Sequence, residues 1–288
     1  MIESKVALTL VIPTYNEEKR LPGTLQLISD WMPHSCFDVE VIIVDDGSQD
    51  KTREVVDSYM GRIPKLQFLQ VPHIGQLNAT ITGLKKSIRP LRATLEADCP
   101  VHPRTLELFL EKFPDFDVVM GSRILQDDVS SVEGKPLYRR ILSSVMSRLF
   151  AILFKGGIHD PQIGFKLYHA RVLDQVLPLL TLRHDGLKSA EIIVKAMAFG
   201  YRVKEVPVRY KHDDDSRCVP KGSYGIVLRA ALALGELWIK SYIEYKRGDL
   251  PVCPVRFGIV LLPFWRMMTF IAPHPAGTAR NSSSLMTS

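Results

Sequence analysis

The chain has 288 residues, of which 46% are hydrophobic, and this size and composition suit one large folded domain with a short appendage. Its 37 basic and 31 acidic residues give a net charge of +6, which favours an anionic partner or a membrane face. No run of basic and aromatic residues is typical of a nucleic-acid surface, so we expect no nucleic-acid partner. The four cysteines form no C-x-x-C pair, which argues against a zinc site and favours a reducing compartment.

In the first half of the chain, apolar runs alternate with segments that have helical spacing. Continuous apolar runs are typical of strands that are buried on both faces. Two such runs, at residues 6–12 and 39–44, predict strands, and we expect three more strands at residues 66–71, 92–98 and 117–122. Between them we expect helices at residues 17–31, 50–59 with Asp50 as the N-cap, and 75–88. The alternation predicts an α/β fold in which a mostly parallel sheet carries helices on both faces.

The second half has a different pattern. Residues 138–155 carry a wide apolar stripe flanked by arginines, which fits a helix packed on the core or one lying at a membrane surface. A second long helix is expected from Tyr224 to about Arg247. The apolar run at 257–270 is shorter than the ~20 residues that a membrane span needs and contains Pro263, so it predicts an interfacial or re-entrant anchor.

Polar motifs follow three of the predicted strands: PTYNEE, DDGSQD and EADCP. Ligands of open parallel sheets bind beyond the carboxyl ends of the strands, so we expect these motifs to meet. In an extended chain Glu96 and Asp98 point the same way and can face one ligand. Asp45 and Asp46 precede a glycine, where an acid commonly makes a turn or a helix cap. We favour Asp46 for recognition of a nucleobase, with Asp45 as its support, and Tyr15 as a ring that lies against the base.

Taken together, the motifs VIPTYNEE, VIIVDDGSQDKT, EAD, MGSR and DPQIGFKLY resemble the family 2 inverting glycosyltransferases. More narrowly, they resemble the members that load a sugar onto dolichyl or another polyprenyl phosphate, and the likeness covers roughly residues 6–245. It implies a Rossmann-like, nucleotide-sugar-binding fold of the GT-A type, with amphipathic C-terminal helices. It also implies a catalytic domain at 1–222, membrane-associating helices at 223–273 and a disordered tail at 274–288.

The resemblance assigns roles to the residues that bind the donor. It implies that the nucleotide is held by Pro13, Tyr15, Glu17 and Asp46, with Asp45 in support. Glu96 and Asp98 would carry Mg²⁺ or Mn²⁺ on the diphosphate, which offsets the charge that develops on the leaving group. Gln76 lies beside the donor phosphates, in a segment where the family is rich in glycine and lysine.

The resemblance also assigns roles around the acceptor. Arg123 would lie near the anionic acceptor or the donor phosphates, where a forked guanidinium suits phosphate geometry. Asp160 and Gln162 would lie over the donor sugar and the acceptor. Asp160 is a candidate general base, but a phosphate acceptor is already ionised near neutral pH, so we favour positioning roles for both. Arg217 and Lys221 are expected to contact phosphate.

These assignments predict an inverting transfer of mannose or glucose from a nucleotide sugar to a polyprenyl phosphate, on the cytoplasmic face of a membrane. A first alternative keeps the fold but uses a soluble or growing glycan as the acceptor. A second is a degenerate protein that binds nucleotide sugar without turnover. The second is motivated by Glu96, Pro100 and Gln76, where the family usually has Asp, Gln and Lys.

Overall fold

The computed structural model describes residues 5–125, 137–182, 187–211 and 224–256, with side chains from residue 144 in the fifth helix and from residue 232 in the eighth. The strands within these residues are β1 (Val6–Thr14), β2 (Phe37–Asp45), β3 (Leu66–Gln70), β4 (Leu91–Thr94), β5 (Val118–Ser122), β6 (Lys166–His169) and β7 (Val203–Pro207). The α-helices are α1 (Leu21–Trp31), α2 (Thr52–Tyr59), α3 (Gln76–Lys86), α4 (Thr105–Leu110), α5 (Leu137–Leu153), α6 (Ala170–Val176), α7 (Lys188–Ala198) and α8 (Tyr224–Arg247).

The strands form one seven-stranded sheet in the order β3-β2-β1-β4-β6-β5-β7. Every pair of neighbours is parallel except for β6, which runs antiparallel to both β4 and β5. The predicted α/β fold with a mostly parallel sheet is therefore confirmed. Because β6 runs the opposite way, it begins at the edge of the sheet where β4 and β5 end.

The largest difference from the predicted strands is in β4. We expected it to continue to residue 98, but it ends at Thr94. The N–H of Cys99 donates to the carbonyl of Glu96 at 3.0 Å, and Cys99 has a φ of 47°, so the chain turns here. The expectation that Glu96 and Asp98 project from an extended strand is wrong, because both residues lie in this turn. The predicted strands also omit β6, which is four residues long and begins with a charged residue, Lys166.

Helix α3 lies directly on the sheet through Gly83. A Cβ at this position would lie 2.4 Å from Val11 Cγ1 and 2.8 Å from Val44 Cγ2. The missing side chain lets the helix backbone approach the centres of β1 and β2. This close packing fixes the beginning of α3, at Gln76, against the carboxyl edge of the sheet.

Helices α5 and α8 belong to the compact unit that comprises Met1–Val255, in which α8 packs against α5 and α7. The described part of α5 buries Phe150 and Leu153 and leaves Val145 and Ile152 exposed, each 51%. One face of α5 thus packs on the core, and the other is partly apolar. No helix among the described residues is both long and apolar enough to cross a bilayer. The predicted anchor at 257–270 and tail at 274–288 lie outside the described residues, as does the predicted domain boundary near 222.

We expect Gly83→Ala to lower the free energy of unfolding by about 1–3 kcal/mol, because the new methyl group overpacks the core against Val11 and Val44. Gly23→Ala in α1 is the matched control, since a Cβ there meets no atom within 4 Å. That control should gain up to about 1 kcal/mol from the better helix propensity of alanine. Urea unfolding of both variants measures the difference, and equal effects would contradict the packing described for α3.

Candidate active site

The loops that follow β1 and β2 are joined by several hydrogen bonds. The N–H of Asn16 donates to Ser48 Oγ at 2.8 Å, and the N–H of Gln49 donates back to Asn16 Oδ1 at 2.7 Å. The N–H of Glu17 donates to Thr52 Oγ1 at 2.8 Å. Asn16 has a φ of 55°, a left-handed conformation that asparagine tolerates better than most residues. The two predicted motifs therefore form one rigid surface at the carboxyl edge of the sheet.

The carboxylates of Asp45 and Asp46 are both buried, with only 2% of each residue exposed. Asp45 accepts hydrogen bonds from the N–H and the hydroxyl of Ser48, as expected of an acid that closes a turn. Asp46 accepts from the N–H of Ile74 at 2.7 Å and that of Gly75 at 3.1 Å, so it holds the loop that leads into α3. The role of Asp46 in base recognition stays a prediction, and its visible contacts are to this loop.

Tyr15 presents an accessible ring on this surface, with 40% of the residue exposed. The imidazole of His73 stacks on it at a centroid distance of 4.5 Å and an interplanar angle of 30°. His73 Nδ1 lies 3.0 Å from the Asp46 carboxylate, which orients the imidazole. His73 was not predicted as a site residue, although it lies in the segment HIGQLNA that contains Gln76.

Glu17 contacts the acidic turn through Arg20. Its carboxylate accepts from Arg20 Nε at 2.7 Å, and Arg20 Nη1 lies 3.8 Å from Asp98 Oδ2. The three side chains form a chain of alternating charge from the first loop to the turn after β4. Arg20 was not predicted as a site residue. It follows Glu17 by three residues, a spacing at which side chains on a helix contact each other, so the sequence held a sign of this pair.

The turn after β4 is fixed from several sides. Thr24 Oγ1 donates to the carbonyl of Ala97 at 2.6 Å, and the hydroxyl of Tyr210 donates to Glu96 Oε2 at 3.0 Å. Gly164 lies against Glu96, because a Cβ on it would be 2.5 Å from Glu96 Cγ. Burial raises the pKa of Glu96; the positive charge of Arg123 opposes this rise and the negative charge of Asp98 adds to it.

Arg123 and Asp160 form a two-pronged ion pair. Arg123 Nε donates to Asp160 Oδ2 at 2.8 Å, Nη2 donates to Oδ1 at 2.7 Å, and the Arg123 backbone N–H donates to Oδ2 at 3.1 Å. Burial alone would raise the pKa of Asp160, but the bonds from Arg123 hold it below its ordinary value. Asp160 is thus a carboxylate at neutral pH and a weak proton acceptor, which supports the positioning role that we favoured.

A cavity of about 40 Å³ brings several predicted residues together. Its walls include Pro13 from β1, Gln76 from α3, Glu96 and Gly164, and it is closed by Lys166 and Ser189. Gln162 is half-buried in the loop next to Gly164. Arg217 and Lys221 lie outside the described residues.

Lys166 is the residue in this region with the most unusual environment. Only 1% of it is exposed, and burial lowers its pKa to about 7, although the carboxylates of Asp160 and Glu96 oppose that change. Lys166 was not predicted as a site residue, even though it lies within the motif DPQIGFKLY. Tyr210 and Glu205 were also missed, and because they lie far along the chain from the motifs, no local pattern marks them.

The residues at this edge include ligands suited to a divalent metal ion. Glu96 and Asp98 offer carboxylate oxygens, which Mg²⁺ and Mn²⁺ prefer. The Asp98 side chain is 21% exposed and so accessible from solvent. Among the described residues no group of three or more His, Cys, Asp or Glu side chains can hold a metal ion. A metal here therefore needs oxygens from a ligand as well, which matches the way proteins bind Mg²⁺ through one or two carboxylates and substrate phosphates.

Comparison with known proteins identifies the family of the chain. Residues 9–177 match the glycosyl transferase family 2. The chain is 31% identical over 226 residues to the dolichyl-phosphate beta-glucosyltransferase ALG5A of Trichomonas vaginalis, covering 74% of this chain and 68% of that protein. It is 32% identical over 227 residues to ALG5D of the same organism, with the same coverage. The chain belongs to glycosyl transferase family 2.

Solved structures share the fold. Glucosyl-3-phosphoglycerate synthase of M. tuberculosis superimposes with a TM-score of 0.56 at 15% identity, covering 81% of this chain and 80% of that one. Mannosyl-3-phosphoglycerate synthase of Rubrobacter xylanophilus gives a TM-score of 0.54 at 13% identity, covering 90% and 78%. The expected Rossmann-like fold of the GT-A type is confirmed by these structures, and the family 2 match confirms the glycosyltransferase class.

The Arg123–Asp160 pair predicts a pH-dependent loss of stability in Arg123→Met. In the wild type the pKa of Asp160 is lowered, so the pair stabilises the fold fully above the unfolded value of 3.8 and this stabilisation is lost as the pH falls below it. In the variant, burial acts without the pair and favours the protonated acid. The destabilisation should therefore be present already at pH 4, where protonation of the acid relieves part of it, and grow to about 3 kcal/mol at pH 7, the low end for a broken buried pair.

Urea unfolding across this pH range measures the effect. Arg53→Met is the matched control, since the pair of Arg53 and Asp57 is 59% and 47% exposed and should contribute less than about 1 kcal/mol at any pH. A destabilisation by Arg123→Met that does not change between pH 4 and pH 7 would contradict the ionised, buried state of Asp160.

Proposed function

We propose that the chain transfers a sugar from a nucleoside-diphosphate sugar to dolichyl or another polyprenyl phosphate, with inversion at the anomeric carbon. Glucose is the first candidate for the sugar and mannose the second. The relatives at 31–32% identity are named dolichyl-phosphate beta-glucosyltransferases, which supports both the acceptor and glucose. The observation that carries the proposal is the meeting of Glu96, Asp98, Arg123 and Asp160 at the carboxyl edge of a family 2 sheet.

The surface built by the first two loops suits the nucleotide of the donor. Tyr15 offers an exposed ring for stacking with a base, as proteins commonly use aromatic faces for this purpose. Asp45 and Asp46 keep the surrounding backbone rigid, which limits the entropy lost when the nucleotide binds. The diphosphate would then extend towards Asp98 and Gln76.

The charges near the turn favour a divalent cation. Among the described residues five carboxylates lie close to three cations: Glu17, Glu96, Asp98, Asp160 and Glu205 beside Arg20, Arg123 and Lys166. A donor diphosphate adds more negative charge to this excess. Asp98, with Glu96 beside it, would hold Mg²⁺ or Mn²⁺, which would supply the positive charge that offsets the charge of the departing nucleoside diphosphate.

Arg123 and Asp160 suit the acceptor end of the reaction. The Arg123 side chain remains 32% exposed while its fork is fixed on Asp160, and the Tyr210 ring lies 5.3 Å from its guanidinium carbon. The remaining edge of the guanidinium, at Nη1, can donate to the phosphate of the lipid, which needs no general base because it is already ionised. In this arrangement Asp160 orients the Arg123 side chain, and the attacking oxygen belongs to the acceptor phosphate.

The exposed face of α5 supports action at a membrane surface. Val145 and Ile152 are each half exposed, and Arg148 and Lys155 are exposed near them, so apolar and basic groups share one side. Such a face can bury its apolar side chains among lipids while the basic groups meet lipid phosphates. This arrangement would hold the site near the head group of the acceptor.

A transfer assay tests the reaction. Purified protein is incubated with UDP- and GDP-linked glucose or mannose, a short polyprenyl phosphate and Mn²⁺, and the lipid-linked sugar is measured. We expect a product that disappears on chelation of the metal, and a rate lowered about 10²–10³-fold in Asp98→Asn, because an electrostatic stabiliser of the leaving group is lost. Asp30→Asn, at an exposed position of α1, is the control and should keep the wild-type rate.

The same assay separates the alternatives. Transfer to a glycan but not to the lipid phosphate would replace the proposed acceptor by the glycan. Binding of a nucleotide sugar without any transfer or hydrolysis would favour the degenerate binding protein. Activity that survives both chelation and Asp98→Asn would contradict the metal-assisted departure.

Binding to vesicles tests the membrane face. Val145→Asp together with Ile152→Asp should weaken binding to vesicles that contain anionic lipid by about tenfold or more, since each apolar side chain contributes about 1.5–3 kcal/mol on burial. Ile88→Asp is the matched control, because Ile88 is 93% exposed but precedes β4, at the opposite edge of the sheet. If the wild type does not bind vesicles, or if Ile88→Asp has the larger effect, the α5 face is not the membrane surface.

A further inference from the structure

The loop His159–Gly164 carries two predicted site residues, Asp160 and Gln162, but its own backbone holds it only weakly. The hydrogen bond inside it, from the Ile163 N–H to the Asp160 carbonyl, is long at 3.4 Å. Its shape is instead set by side chains from strands and helices that surround it. Those side chains belong to residues that neither the sequence motifs nor the proposed reaction includes.

Glu205, on β7, holds the first half of the loop. Its Oε1 accepts from the Asp160 N–H at 2.6 Å, and its Oε2 accepts from the His159 N–H at 2.9 Å. The Oε2 atom also lies 3.2 Å from His159 Nδ1. Only 4% of the Glu205 side chain is exposed. The whole carboxylate is therefore used on two consecutive residues of the loop.

Lys166, the first residue of β6, holds the second half. Its ammonium donates to the carbonyl of Ile163 and, at 2.7 Å, to the hydroxyl of Ser189. Ser189 in turn donates to the carbonyl of Pro161 at 3.1 Å. Thr94 Oγ1 completes the set by donating to the Gly164 carbonyl at 2.5 Å. Three carbonyls of the loop thus point at donors on β4, β6 and α7.

The burial of these two charges needs an explanation beyond packing. Moving an ionised side chain out of water costs several kcal/mol, and apolar residues of the same size usually serve a core as well or better. Only 7% of Glu205 and 1% of Lys166 is exposed to solvent. In the described part of the chain, the hydrogen bonds of both side chains go to this loop and to Ser189, which also contacts it.

We propose that Glu205 and Lys166 are positioning residues, which fix the backbone of the loop so that Asp160 and Gln162 are held in their working geometry. This inference rests on the proposed glycosyl transfer. With Glu205 on its N–H and Arg123 on its carboxylate, Asp160 is fixed at both ends. A displacement of about 1 Å at a reacting group costs ~10²-fold in rate, so anchors of this kind are worth retaining in a buried site.

The chemistry of each anchor is specific. The two neighbouring N–H groups donate to different oxygens of Glu205, and among side chains a carboxylate is the group that presents two acceptor oxygens. Glu205→Gln is nearly isosteric but sets an NH₂ group against an N–H donor. Lys166→Met removes the donor to Ile163, whereas Lys166→Gln keeps an amide donor at a similar depth. Ser189→Ala is the mildest variant, because it removes the hydroxyl that links Lys166 to Pro161 and leaves the charges in place.

The experiment compares kcat and KM for these variants in the transfer assay. We expect Glu205→Gln and Lys166→Met to lower kcat by about 10- to 100-fold with KM for the donor changed less than about threefold, and Lys166→Gln to recover part of the loss. Ser189→Ala should lower kcat severalfold and also serves if Lys166→Met does not fold. Lys195→Met is the matched control, since Lys195 is equally buried but binds Leu179 and Glu244, away from the loop.

Hydrogen exchange gives a readout that does not depend on activity. The hydrogen-exchange rates of the His159 and Asp160 amides should rise in Glu205→Gln and stay at the wild-type value in Lys195→Met. Wild-type kcat in Glu205→Gln and Ser189→Ala, in a protein whose wild type transfers sugar, would overturn the inference. A kcat loss in Lys195→Met equal to that in Lys166→Met would overturn it too. If the wild type transfers no sugar, the proposed function fails, and unchanged exchange at His159 and Asp160 would then reject the anchoring as well.

Discussion

The reversal of one strand determines the geometry of the site. β6 lies between β4 and β5 and runs antiparallel to both, so the loop that precedes it arrives at the edge where those strands end. Three segments that are distant in sequence, the turn after β4, the end of β5 and the loop before β6, therefore meet at one place. In a fully parallel sheet the chain would enter β6 from the far edge, and Asp160 could not reach Arg123.

This meeting concentrates charge in a poorly hydrated region, which the fold tolerates only because each group has a partner. Arg123 is hydrogen-bonded to Asp160 and also attracted by the negative charge of Glu96. Lys166 lies near the carboxylates of Asp160, Glu96 and Glu205, and burial lowers its pKa to about 7. The backbone of the loop His159–Gly164 supplies the remaining partners. Stability and positioning are thus linked here, because removing a charge frees the loop as well as its own partner. Hydrogen-bond donors and acceptors are already oriented in this region. It therefore suits a charged ligand, one with several phosphates and a bound cation, better than a neutral ligand.

Much of the fold was predictable from the sequence, because β1, β2 and β5 are largely buried apolar runs, the more exposed β3 carries three apolar residues, and α1, α3, α5 and α8 have clear helical spacing. That the motifs PTYNEE, DDGSQD and EADCP meet at one edge was also predictable, because parallel strands all end at the same edge of a sheet. The sequence could not predict that β4 stops at Thr94, because the turn depends on a hydrogen bond from Thr24 on a distant helix. Glu205 and Tyr210 were missed for a related reason: their roles exist only through contacts with residues 45 and 114 positions away. Lys166 was within a recognised motif, but a lysine at a strand start gives no sign that it will be buried.

The most direct test of this account is a crystal structure of the protein soaked with Mn²⁺ and UDP or GDP, whichever supports transfer. The account predicts that the base lies on Tyr15 and that the metal links the diphosphate to Asp98, within reach of Arg123. A nucleotide bound elsewhere on the sheet, or a diphosphate with its metal away from the turn after β4, would contradict it.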